Sequence, residues 1–235
     1  MQPLSLSCQT IIARALDIAK NPGYTTQAGE MLQAELDNLA LNYDWQILRK
    51  KYTFNANPPT ADANGNYRSA NPMPADFVRT REVYYLIEGQ PFMLNAMSLA
   101  MYDSLFSGPG IQNYPENYAT DMNPNPPLLY LYPPPTVPIQ VFMRYQSIPP
   151  PIPNPATNTS QPWFPYAQYL IRKVAQEVFL ITDDQRYGQM YPVTEQMLKD
   201  ILKIQGDAEN YVRTIGLDPL IFRPQSFGPN KMTGF

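Results

Sequence analysis

Residues 128–145, LLYLYPPPTVPIQVFMRY, decide the fold. Ile139, Val141, Met143 and Tyr145 alternate with Gln140, Phe142 and Arg144, a period of two that predicts a half-buried strand with one apolar face. In the preceding run, Leu129 and Leu131 alternate with Leu128, Tyr130 and Tyr132. Pro133, Pro134 and Pro135 stand between the two and have no N–H to give a ladder. The expectation is therefore an antiparallel hairpin closed by a stiff, projecting tip.

Upstream, the strand pattern continues in residues 52–55, 78–87 and 91–94, with a turn at Glu88-Gly89-Gln90. Two loops rich in Asn, Pro and Gly separate these from their neighbours, and Ser98 is placed to cap a short helix in MSLAMYDSLF. Further out the period changes to that of a helix. Cys8, Ile12, Ala15, Leu16 and Ala19 recur at three and four over residues 5–21, with Ser5 or Ser7 as cap. Ala28, Leu32, Leu36, Leu39 and Tyr43 do so over 26–43, so the two helices are expected to pair through the short Asn21-Pro22-Gly23 break.

Downstream, IPPPIPNP (148–155) predicts an extended connector back to helices. Ala167, Leu170, Ile171, Val174, Val178 and Ile181 mark one helix, and Asp183-Asp184-Gln185-Arg186 turns the chain. A last helix over 193–215 carries Met197, Ile201, Ile204, Ala208 and Tyr211 along a narrow seam of the coiled-coil kind, expected to pack against another helix. The fold class is α+β: a helical bundle from residues 1–50 and 151–216, an inserted antiparallel β module over 51–150, and an extended tail over 217–235.

Composition narrows function. The 235 residues include 27 Pro, 17 Tyr and 11 Met, but only 16% are charged, well below the usual quarter of a soluble domain. A neutral surface rich in Tyr and Met suits contact with other protein. With 17 Lys and Arg against 20 Asp and Glu, no cationic excess favours tight nucleic-acid binding. No signal peptide or membrane span is readable at the N-terminus, so synthesis in a cytoplasm is expected and the sequon Asn158-Thr159-Ser160 is a chance match.

The chain contains no His and one Cys, which removes Ser-His-Asp and Cys-His nucleophile systems and His-bearing zinc sites. Cys8 is expected to be packed, and Gly108-Pro109-Gly110 lacks the third glycine of a dinucleotide fingerprint. No cofactor or metal is expected. The remaining chemistry is a carboxylate pair drawn from Glu116, Asp121, Asp183 and Asp184, as in a cell-wall hydrolase; simple turn and solvent roles outweigh it. In the tail, Leu220, Ile221, Phe222, Arg223, Pro224 and Phe227 form an aromatic-plus-arginine segment suited to anchoring in a neighbour's groove.

In order, LNYDWQILRKKYTF (41–54), MPADFVRTREVYYL (73–86), YPENYAT (114–120), LYLYPPP (129–135), VFMRYQSIPP (141–150) and DDQR (183–186) resemble the head-to-tail adaptor, or connector, proteins of tailed phages, particularly short-tailed ones. The resemblance spans residues 5–225. It implies a non-enzymatic virion protein at the capsid vertex, in a ring of identical copies, expected to be twelve. The ring would lie between the portal and the tail nozzle or fibres, and the genome would pass through without tight binding. It also implies that Phe222, Arg223, Pro224 and Phe227 dock on the portal, though this tail is longer and less basic than the family pattern. Tyr130, Tyr132 and Pro133 to Pro135 would face the tail. A tail or baseplate protein without portal contact is the alternative.

Overall fold

Ser7 starts the first helix: its hydroxyl accepts a hydrogen bond from the Thr10 N–H at 3.3 Å, supplying a partner to a donor the helix leaves unpaired. The computed structural model describes residues 6–63, 65–105 and 113–209, with side chains as far as Gln205 in the last helix. Helix α1 (Cys8–Ala19) ends at Lys20 in the left-handed region, and α2 (Thr25–Asn42) follows. α4 (Ala167–Ile181) and α5 (Arg186–Glu209) come from the other end of the sequence, and all four share one core. Every α1 residue of the predicted stripe is buried, as are Ala28, Leu32, Leu36 and Leu39 of α2. At the end of α2, Trp45 donates its indole N–H to the Leu39 carbonyl at 2.7 Å and meets Phe164 edge-on at 5.0 Å.

Between the helix pairs, the described residues form eight strands and a short helix. Strands β1 (Arg49–Ala56), β3 (Phe77–Ile87), β4 (Gln90–Met93) and β8 (Ile139–Ser147) form an antiparallel sheet in the order β1-β8-β3-β4. The two-residue turn between β3 and β4 is Glu88-Gly89, both at positive φ as such a hairpin requires. Strands β2 (Ser69–Pro72), β5 (Asn95–Ala96), β6 (Asn117–Asp121) and β7 (Leu128–Tyr132) form a second sheet, β2-β7-β6-β5, in which only the β5–β6 pair is parallel. Leu129, Leu131 and Tyr118 of this sheet share a core with Val83, Tyr85, Val141, Met143 and Tyr145 of the first. Helix α3 (Leu99–Leu105), capped by Ser98, covers the opposite face by packing Tyr102 on Tyr130, 4.8 Å between ring centres.

The expected hairpin does not form. β8 pairs with β1 and β3, whereas β7 lies between β2 and β6 in the other sheet. The residues explain it: β8 keeps Gln140 and Arg144 in water, but β7 has no polar face and needs cover on both sides. The link does not project either, since Pro134 and Pro135 are buried and the Pro134 carbonyl accepts the Asn113 N–H at 2.9 Å. Only Thr136, Val137 and Pro138 are exposed.

The predicted 148–155 connector does return the chain to the helices, and it packs closely as it does so. The Ile152 N–H donates to Gln33 Oε1, Ala156 lies against Gly29, and the carbonyls of Asn158 and Ser160 accept the N–H groups of Gln9 and Cys8. The sequon therefore belongs to the loop that closes the start of α1. Helix α5 begins at Arg186 and passes through Pro192, which forgoes the bond to the Gly188 carbonyl; prediction had begun the helix after it. The α5 face buried in the core is set by Thr194, Leu198 and Ile201, which turns the predicted seam: Ile201 is buried, Met197 half-buried, and Ile204 49% exposed.

Candidate interaction surfaces

The helical core meets the first sheet through a charged junction. Asp44, just past α2, accepts hydrogen bonds from Arg49 on β1 at 3.0 Å and forms an ion pair with Arg81 on β3. Lys50 and the Tyr145 hydroxyl donate to the two oxygens of Asp76, at 2.5 and 3.0 Å. Partial burial works against ionisation of Asp76, but these two donors outweigh it and hold its carboxyl below the usual range. Ser147 donates to the Leu48 carbonyl at 2.8 Å, tying the end of β8 to the start of β1. These bonds fix how the sheets project from the helices.

Two apolar surfaces are left uncovered among the described residues. Across the outer face of the first sheet, Thr53, Phe142, Tyr84 and Met93 stand in register on four adjacent strands, with Tyr84 and Phe142 stacked at 5.2 Å. Met93 and neighbouring Leu86 are about half exposed, and an adjoining cleft is lined by Ile87, Tyr114 and Val137. The second surface is a groove where α5 passes the start of α4. Trp45, Ile47, Pro165, Tyr166 and Ile204 line it, and Ile47 is 62% exposed. A sequence signal existed for the first: both parities of Val83 to Ile87 are apolar, the sign of a strand meant to be covered on both faces. The second joins positions over 150 residues apart and left no local signal.

The structure separates the residues singled out from sequence. Tyr130 is buried against Tyr102, and Tyr132 and Pro133 are half-buried, so little of the proline segment meets solvent. Leu220, Ile221, Phe222, Arg223, Pro224 and Phe227 lie outside the described residues, as do Tyr211, the side chain of Ala208 and Gly108-Pro109-Gly110.

The four carboxylates are not brought together as a set. Glu116 precedes β6 and Asp121 ends it, about 16 Å apart along an extended strand. Asp183 and Asp184 sit at the α4–α5 turn on the edge of an open polar cleft. Hydrogen bonds from Arg186 keep the Asp184 carboxyl below its ordinary range, and Arg186 also donates to the Ile18 and Ala19 carbonyls and lies 4.4 Å over Phe179. Asp184 thus steadies an arginine that caps α1. Cys8 is buried, and burial pushes its thiol up. Among the described residues no three His, Cys, Asp or Glu side chains cluster as metal ligands, and no helix is long and apolar enough to cross a membrane.

A framework held rigidly at its junction, with apolar surfaces at its sheet face and helix end, has the form of a contact protein. Residues 6–216 match the family described as SU10 adaptor protein. The chain belongs to that family. No curated protein matches it. Membership makes this adaptor a structural phage protein of the head–tail junction, in agreement with the resemblance drawn from the ordered sequence segments. The family match runs through both helix pairs and both sheets, so the whole described framework is the adaptor unit.

Proposed function

We propose that the adaptor forms a closed ring of identical copies, expected to number twelve, between the portal and the tail of a short-tailed phage particle, and that the genome passes through the ring. The observation that carries this reading is the family match over residues 6–216. Physical support comes from the surface. With a formal charge of −3 and 16% charged residues, the chain has no cationic excess with which to grip phosphates passing through a bore. Uncovered apolar side chains suit heterologous contacts that close on themselves.

In this reading, Leu220, Ile221, Phe222, Arg223, Pro224 and Phe227 dock on the portal, and Met197, Ile201, Ile204, Ala208 and Tyr211 belong to the helices that build the ring. Contact with the tail nozzle or fibres falls on exposed Leu86, Met93 and Val137; the buried Pro134 and Pro135 hold the strands behind them.

Imaging of the particle neck tests the reading: a collar of this chain between portal and tail is expected, and a neck without it would reject the proposal. Portal capture by the full chain and by a chain ending at Gly216 tests the docking segment. Capture is expected to fall on truncation; equal capture counts against docking through this segment, and no capture by either chain favours a tail or baseplate protein without portal contact.

A further inference from the structure

Helices α4 and α5 run antiparallel and contact each other, yet α4 has 15 residues and α5 has 24. The nine extra residues carry α5 about 14 Å past the start of α4. At that departure point lies the groove of Trp45, Ile47, Pro165, Tyr166 and Ile204, which is mostly apolar, with Gln46 and Gln205 as its polar lining, and uncharged. The sequence beyond the described helix contains Leu217, Leu220, Ile221 and Phe222, an apolar set with no core of its own. We infer that this groove is the seat of the chain's own residues 217–222, folded back along α5 before the adaptor meets its partners.

The lengths agree. If the helix runs to Ile215, as its spacing predicts, the return to Ile204 is about 16 Å. The six residue steps from Gly216 to Phe222, if extended, span about 20 Å. Gly216 is the residue best suited to reverse the chain, because it adopts the left-handed region that ends helices without a Cβ penalty. Tethering gives the segment a high local concentration that a separate peptide lacks, so modest apolar contact suffices to hold it. The fold-back keeps both the groove and the segment out of water, and a partner that binds the segment more tightly releases it. This is independent of whether that partner is the portal.

Disulfide trapping tests it. In a Cys8→Ala chain, Ile47→Cys is paired with Phe222→Cys, and Ile18→Cys with Phe222→Cys serves as control. Ile18 and Ile47 are exposed, so both variants fold. Ile18 lies beside Arg186, at the end of α5 about 27 Å from Ile204. The first pair is expected to close within one chain at least about tenfold faster than the control. Equal rates, or bonds only between chains, overturn the inference; the latter assigns the groove to a second copy. As a separate measurement, a labelled peptide of residues 217–227 is expected to bind a chain ending at Gly216 saturably, and to lose that binding when Ile47→Glu and Ile204→Glu are combined. Absence of binding to the truncated chain also overturns it. Neither experiment contains portal, so its failure and that of portal docking are read separately.

Discussion

The helical core and the core between the sheets solve burial differently. Among the helices, polar groups lie inside: Tyr169 donates to Glu35 at 2.6 Å, and Thr194 donates to Gln176. Between the sheets the shared core is mostly aliphatic and aromatic, the polar side chains buried there, Ser69 and Asn71 of β2, are uncharged, and charge is confined to the junction with the helices and to wet faces. A helix closes its backbone bonds within itself and can spend side chains on polar pairs. A strand depends on distant partners, so here its side chains supply the packing that brings the two sheets together. The helical part should therefore respond to pH in its interior, losing stability as pH rises, whereas in the sheets the pH-dependent contact is Asp76 at the junction, whose contribution is lost as pH falls.

The largest expected effect breaks the helical side. Trp45 is 2% exposed, meets Tyr43, Trp163 and Phe164, and bonds to the end of α2. Trp45→Ala removes the hub between the two helix pairs and is expected to cost about 3–5 kcal/mol in denaturant unfolding. A loss below about 1 kcal/mol would mean that the aromatic cluster is not what joins the ends of the chain. Leu131→Ala strikes the sheets in the same way. Its side chain is fully buried between them, and the expected cost is about 2–5 kcal/mol. If the sheets unfold apart from the helices, this variant will give two transitions where the parent gives one.

These two residues also mark what the sequence disclosed. Trp45 follows a helix whose stripe of Ala28, Leu32, Leu36 and Leu39 is visible within 12 residues, because helical burial is a local periodic property. Leu131 alternates correctly with Tyr130, yet alternation names a strand without naming its partner. β7 finds β6 and β2, whose sequences NYATD and SANP carry little apolar pattern, and the prolines were read as a hairpin tip when they lie in a crossing between sheets. Pro72 is tolerated because β2 is an edge strand. Of the surfaces, the β3 face was readable from its two apolar parities, but the groove joins Ile47 to Ile204 and exists only once the chain has folded.

A smaller change sharpens the contrast in pH response. Burial raises the Glu35 carboxyl, partly offset by the Tyr169 hydrogen bond and by Lys173. With the folded-state value above the unfolded one, the folded chain holds the proton more firmly. Its contribution to stability is complete below the unfolded value and is lost as pH rises through the folded one. Glu35→Gln keeps an acceptor for Tyr169 and has no proton to lose. Relative to the parent it is expected to be more favourable at pH 8 than at pH 4, with a change at pH 4 of no more than about 1 kcal/mol. Urea titrations at the two pH values check the sign. Leu131→Ala should cost the same at both, since no titratable group touches that change directly.

The smallest effect on stability carries the most information on assembly. Leu86 and Met93 stand half exposed on the outer sheet face, so exchanging both for Ser removes little that folding had buried. Unfolding free energy is expected to shift by no more than about 0.5 kcal/mol for each. Their neighbours Tyr84 and Phe142 remain stacked, and the inner side of the same strands, with Val83, Tyr85 and Val141, is untouched. If this face is covered in the particle, the double variant will fold normally yet enter particles poorly, measured as its share of incorporation against the parent in a mixed assembly. Equal incorporation would mean that the apolar rung is tolerated in solvent, and the tail contact would have to be sought at Val137 and the cleft beside it.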